Sequence, residues 1–113
     1  MTYKKALTLI RKRYQTIYDA PHCEIIRTGR TLDGYHSFTV ALYDYKDGKL
    51  VITDLGETKE VFDEVTEETW RKICEEKGFV FNHWRLEKEF VSMKTVTEFI
   101  KFLNYIADLF DPI

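Results

Sequence analysis

Val40-Ala41-Leu42-Tyr43-Asp44-Tyr45-Lys46-Asp47-Gly48-Lys49-Leu50-Val51-Ile52-Thr53-Asp54 is two β-rich runs about one turn signal. Asp-Gly between such runs is a strong short-range hairpin signature, because the glycine accepts the positive φ that tight turns require. The first run extends backwards to about Tyr35. Its even positions, Phe38, Val40 and Leu42, form an apolar face, and Ser37, Thr39 and Ala41 line the other. The second run spans 49–54, with Leu50 and Ile52 on one side. The small residues of the first run suit either a solvated face or one closely approached by a helix.

Upstream, residues 23–28 read as a further strand, joined to the hairpin by turn-forming residues between Gly29 and Gly34. Residues 2–19 read as an amphipathic helix. Tyr3, Ala6, Leu7, Ile10, Tyr14, Ile17 and Tyr18 recur at three- and four-residue spacing, Thr2 can cap its start, and Pro21 bars its continuation.

Downstream, Leu55-Gly56 breaks the strand, and residues 58–65 are short helix or irregular chain. A better helix covers 66–77. Thr66 is its N-cap, Glu67 and Glu68 suit its dipole, Trp70, Ile73 and Cys74 mark its buried face, and Gly78 stops it. Residues 79–82 and 86–91 form a smaller hairpin through His83-Trp84-Arg85. Residues 94–110 carry the clearest helical stripe, from Val96 to Phe110, and Asp111-Pro112 ends it. The expected architecture is a single α+β domain over 1–113 in the order α-βββ-α-ββ-α, an antiparallel meander packed by its N- and C-terminal helices.

The chain has 113 residues, 44% of them hydrophobic and 15% aromatic, which suffices for one core and excludes disorder. No apolar run approaches the roughly 20 residues that cross a bilayer, and the opening residues lead to no expectation of a secretory signal. Two cysteines, Cys23 and Cys74, are no disulfide framework at this length, so a reducing cytoplasm is expected. The net charge of −2 is unevenly spread. Residues 1–30 hold seven basic side chains against two acidic ones, and residues 57–76 hold eight acidic against three basic.

Most chemistries lack their residues. Zinc needs ligands in close pairs, and His22, Cys23, His36, Cys74 and His83 provide none, so neither metal nor cofactor is expected. His36 and Ser37 diverge on a strand, and Cys74 lies on an apolar helix face. No Gly-rich phosphate cradle is present. Metal-dependent nucleases pair a strand Asp with an acidic-x-Lys triplet. Asp44-Tyr45-Lys46 and Glu57-Thr58-Lys59 fit that triplet, with Asp33 or Asp54 as first carboxylate. These triplets lie beside turns, and a charge content of 32% produces them by chance. A nucleic-acid surface would use Lys4, Lys5, Arg11, Lys12 and Arg13.

The run from Asp47 to Thr58 resembles a small bacterial and phage domain family of unknown function, whose hairpin ends in an aliphatic-x-Asp-x-Gly-x-Thr signature. The resemblance extends over residues 21–91 and makes Asp54, Gly56 and Thr58 the signature positions. It implies an accessory protein of phages or mobile elements that binds a host protein. The residues themselves give Asp54 and Gly56 a structural role at the strand's end.

The leading expectation is therefore a non-catalytic protein-binding module, such as an inhibitor of a defence nuclease. Its interface would draw on Tyr43, Tyr45 and Trp84, with Glu60, Glu64, Glu67 and Glu68 as an acidic surface that mimics nucleic acid. The alternatives are a metal-dependent nuclease and a small nucleic-acid binder. The apolar face of 94–110 leaves homodimerisation open.

Overall fold

A computed structural model describes residues 1–28, 39–45 and 47–110. The central hairpin forms as its sequence dictates. Strands β3 (Val40–Asp44) and β4 (Leu50–Thr53) pair antiparallel, with Leu42 opposite Ile52. Gly48 takes φ +82, and the Asp47 carboxylate accepts the Lys49 amide at 3.0 Å.

Residues 15–20 depart from the sequence reading. The N-terminal helix α1 is Tyr3–Arg11, capped by Thr2, whose hydroxyl accepts the Lys5 amide. Residues expected in its second half form strand β1 (Gln15–Ala20), which returns through Pro21-His22 to β2 (Cys23–Arg27). Tyr14 still packs on the core, whereas Ile17 and Tyr18 are exposed at the sheet edge. The expected turn between Gly29 and Gly34, the strand segment 35–38 and the Asp111-Pro112 stop lie outside the described residues.

The rest follows the expected order, and the stretch read as short helix or irregular chain at 58–65 holds a short helix α2 (Glu57–Val61). Helix α3 (Glu67–Lys77) begins at Thr66, whose hydroxyl accepts the Thr69 amide, and ends at Gly78 with φ +80. Strands β5 (Val80–Asn82) and β6 (Arg85–Glu89) form the second hairpin, and α4 (Met93–Phe110) closes the described chain. The six strands make one antiparallel sheet in the order β1-β2-β3-β4-β6-β5, so this is an α+β fold with helices at both ends.

One face of the sheet holds the core. Ile26, Val40, Leu42, Leu50, Ile52, Phe81 and Leu86 meet Ala6 and Ile10 of α1, Trp70 and Ile73 of α3, and Val96, Phe99, Leu103 and Ile106 of α4. Burying large apolar side chains stabilises the fold by about 1.5–3 kcal/mol each. The other face carries two rows of residues in register. Cys23, Tyr43, Val51 and Glu89 form one, and Ile25, Ala41, Thr53 and Glu87 form the next. Ala41, Val51 and Thr53 are fully buried there, yet none of them belongs to the main core cluster. Ala41 of β3 is thus closely approached, not solvated, while half-buried Thr39, just before β3, donates a hydrogen bond to Glu57 of α2.

Candidate functional site

At the end of β4 the chain must leave the sheet, and Asp54 organises that exit. Its carboxylate is 1% exposed. Oδ1 accepts the amides of Gly56 and Leu86, both at 2.9 Å, and Oδ2 accepts the Thr58 amide at 3.1 Å. Burial pushes the carboxyl above its usual range, opposed by these hydrogen bonds and one from the Thr58 side chain. One side chain therefore holds the β4 exit, the start of α2 and the start of β6 together. Gly56 takes φ +86, and a Cβ there would lie 3.2 Å from the Trp84 carbonyl oxygen. Asp54, Gly56 and Thr58 are accordingly a structural clasp.

The loop this clasp braces is the β5–β6 turn. Asn82 pairs with Arg85, which leaves His83 and Trp84 as the two turn residues, at φ +49 and +65. Positive φ at both central positions is the geometry that Asn-Gly adopts readily, and it is costly for bulky residues. Leu55, at φ +56, faces the same cleft of about 390 Å³, which is also lined by Lys59, Glu60, His83, Trp84 and Arg85. Trp84 remains 49% exposed. Its ring meets Phe81 edge-on at 5.9 Å, and the Lys59 ammonium lies 4.5 Å from its centroid.

From this turn an aromatic and cationic strip runs across the second sheet face. The Arg85 guanidinium lies 5.4 Å from the Tyr43 ring centroid, and the Tyr43 and Tyr45 rings are 4.9 Å apart. The Tyr45 hydroxyl donates to Glu87, whose other carboxylate oxygen receives the Asn82 amide at 3.5 Å. Burial, and then the bond to Glu87, pushes the Tyr45 phenol up to about 12. The fold therefore brings together Tyr43, Tyr45, Trp84 and Glu60 from the sequence-read interface. It adds Arg85 and the buried Glu87, which sequence reasoning missed, and Lys59, which the sequence placed only in the nuclease triplet. Arg85 sits one residue after the singled-out Trp84, but its reach to Tyr43 depends on pairing between β4 and β6, which no local pattern announces.

The other expected residues lie elsewhere. Glu64, Glu67 and Glu68 are exposed on and before α3, with Glu67 paired to Arg71 at 2.7 Å. Lys4, Lys5, Lys12 and Arg13 are exposed on and just after α1. Arg11 is not free for phosphate: it is committed to Glu24 of β2, which accepts from its Nε at 2.9 Å.

Asp54, the first carboxylate of the nuclease reading, has both oxygens occupied by backbone amides, and Glu57 accepts from Thr39. Asp33 and Lys46 lie outside the described residues. Among the described residues, no three His, Cys, Asp or Glu side chains gather where they could hold a metal ion. Burial raises both thiols, Cys74 to about 12, so neither is an activated nucleophile. Among the described residues no helix is long and apolar enough to cross a membrane.

Compared with known proteins, the chain matches no family model, no curated protein and no solved structure.

Proposed function

We propose that this chain is a non-catalytic protein-binding module whose interface is anchored by Trp84, Arg85, Tyr43 and Tyr45. The observation that supports it is the half-exposed Trp84 held at positive φ, which lines one cleft with Arg85, whose guanidinium in turn lies over the Tyr43 ring. Trp84 occupies a position where glycine or asparagine is preferred, and strain of this kind concentrates at working surfaces. Trp, Tyr and Arg are also the residue types that dominate binding energy when a partner excludes water around them. Lys59 and Glu60 flank the anchor with both signs of charge, as a polar rim does.

The test is capture of a partner from host lysate by the wild-type chain and by the Trp84→Ala and Arg85→Ala variants. One stoichiometric protein is expected with the wild type, lost with either variant while their circular dichroism stays native. The absence of any stoichiometric protein, or its equal retention by all three chains, refutes the reading.

A further inference from the structure

A second concavity, of about 450 Å³, shares no residue with the Trp84 cluster. It lies where the end of α3, Phe79 just before β5, and β6 meet α4. Positions 98, 101, 102 and 105 of α4 fall on one helical stripe, which brings Glu98, Lys101, Phe102 and Tyr105 to the same wall. Phe102 stacks on Phe79, with ring centroids 4.0 Å apart and planes 4° from parallel, and this pair forms the apolar floor.

Three ammonium groups surround that floor. Lys77, the last residue of α3, stands 4.4 Å from the Tyr105 ring centroid. Lys88 of β6 stands 4.7 Å from the Phe79 centroid and pairs with Glu98 at 3.1 Å. Glu98 also lies 4.0 Å from Lys94, so the one carboxylate lining the cleft is shared by two lysines. Among the described residues, Lys77 and Lys101 have no carboxylate partner. In a chain of net charge −2, two uncompensated ammonium groups face one concavity.

We propose that this cleft binds a small organic phosphate, with the phosphate oxygens between Lys77 and Lys101 and the organic part against Tyr105. Each ammonium has three donors and no acceptor, and a phosphate ester offers several acceptor oxygens and close to two negative charges, which two free lysines match. Lysine serves as a point-charge phosphate ligand, whereas a lone carboxylate is the characteristic partner of a bidentate arginine. The volume falls within the range of small-molecule sites, and two lysines in one hollow do not make the extended track that a polynucleotide follows.

The test is an NMR titration of the full chain with ADP and inorganic pyrophosphate, and with adenosine as the uncharged control. Saturable shifts on Lys77, Lys101 and Tyr105 are expected with ADP and with pyrophosphate, and none with adenosine. Affinity for ADP should fall about tenfold or more in a Lys77→Ala/Lys101→Ala variant. It should stay unchanged in Lys4→Ala/Lys5→Ala, which removes the same charge from α1. Failure of ADP to saturate by about 10 mM overturns the proposal. Equal losses in the two variants, or adenosine binding as well as ADP, overturn it too.

Discussion

Arg11 of α1 and Glu24 of β2 form a two-pronged contact. The Arg11 Nε donates to Glu24 Oε2 at 2.9 Å and to Oε1 at 3.2 Å, and its Nη2 also donates to Oε1. Thr16 of β1 adds a hydroxyl donor to Oε2 at 3.0 Å. The Glu24 side chain is 1% exposed and that of Arg11 50%, so the pair ties a surface cation to a buried anion across three elements. Removing the cation strands the anion, whereas replacing both partners with apolar residues does not. Arg11→Ala is therefore expected to lower the urea midpoint clearly more than Lys12→Ala or Arg13→Ala. Arg11→Met/Glu24→Leu should recover most of the loss. Equal, small effects of all three single substitutions would show that the contact contributes nothing.

The Asp54 clasp makes a sharper demand on chemistry. Three backbone N–H groups converge on one carboxylate, and Asp54→Ala leaves all three without their acceptor. The expected loss is about 2–4 kcal/mol in urea unfolding, from buried donors that lose their partner. Asp54→Asn retains Oδ1 for Gly56 and Leu86 but turns an amide donor toward the Thr58 N–H, so it should lose about half as much. An Asp54→Ala chain as stable as the wild type would contradict the clasp.

Those two contacts show what local sequence can and cannot reveal. The Asp47-Gly48 hairpin, the Thr66 and Gly78 caps of α3 and the stripe of α4 were legible because each rests on residues within one turn of each other. The strand at 15–20 was not. Tyr14, Ile17 and Tyr18 continue the helical spacing of Tyr3, Ala6, Leu7 and Ile10, and an edge strand with mostly exposed side chains has no clean alternation to compete with it. Its β-branched and aromatic Thr16-Ile17-Tyr18 run and the Pro21 turn were the available signals. In the candidate site, Tyr43, Tyr45 and Trp84 were legible as aromatic residues outside helices. Their assembly with Arg85 and Glu87 depends on pairing across more than 30 residues of chain.

Alkaline pH should unfold this domain progressively. Burial is the leading cause that pushes Tyr3, Tyr45 and Cys74 each up to about 12, from 10.0 for the phenols and 9.0 for the thiol. Within that window the folded chain keeps protons that the unfolded chain has released. The stability these groups contribute is complete below about pH 9 and is lost as pH rises toward 12. The thermal midpoint is expected to fall steadily from pH 9 to 11.5, and more gently in Tyr45→Phe and in Cys74→Ala. Midpoints followed by circular dichroism check this; a flat or rising profile in the wild type would contradict it.

The β5–β6 turn should separate stability from binding. His83 and Trp84 both carry positive φ, at about 1 kcal/mol or more apiece for residues with a Cβ. Trp84 recovers part of that through its edge contact with Phe81 and the ammonium of Lys59, each about 0.5–1 kcal/mol. Trp84→Ala discards the contacts and keeps the strain. His83→Asn/Trp84→Gly discards the same contacts and relieves the strain, since Asn-Gly is the preferred pair for such a turn. The double variant is expected within about 1 kcal/mol of the wild type or above it, with Trp84→Ala lower. Both should lose the partner captured through Trp84. If urea unfolding instead ranks His83→Asn/Trp84→Gly no higher than Trp84→Ala, the turn holds no strain. The tryptophan would then be there to pack, and the case for Trp84 as a binding anchor would rest on its exposure alone.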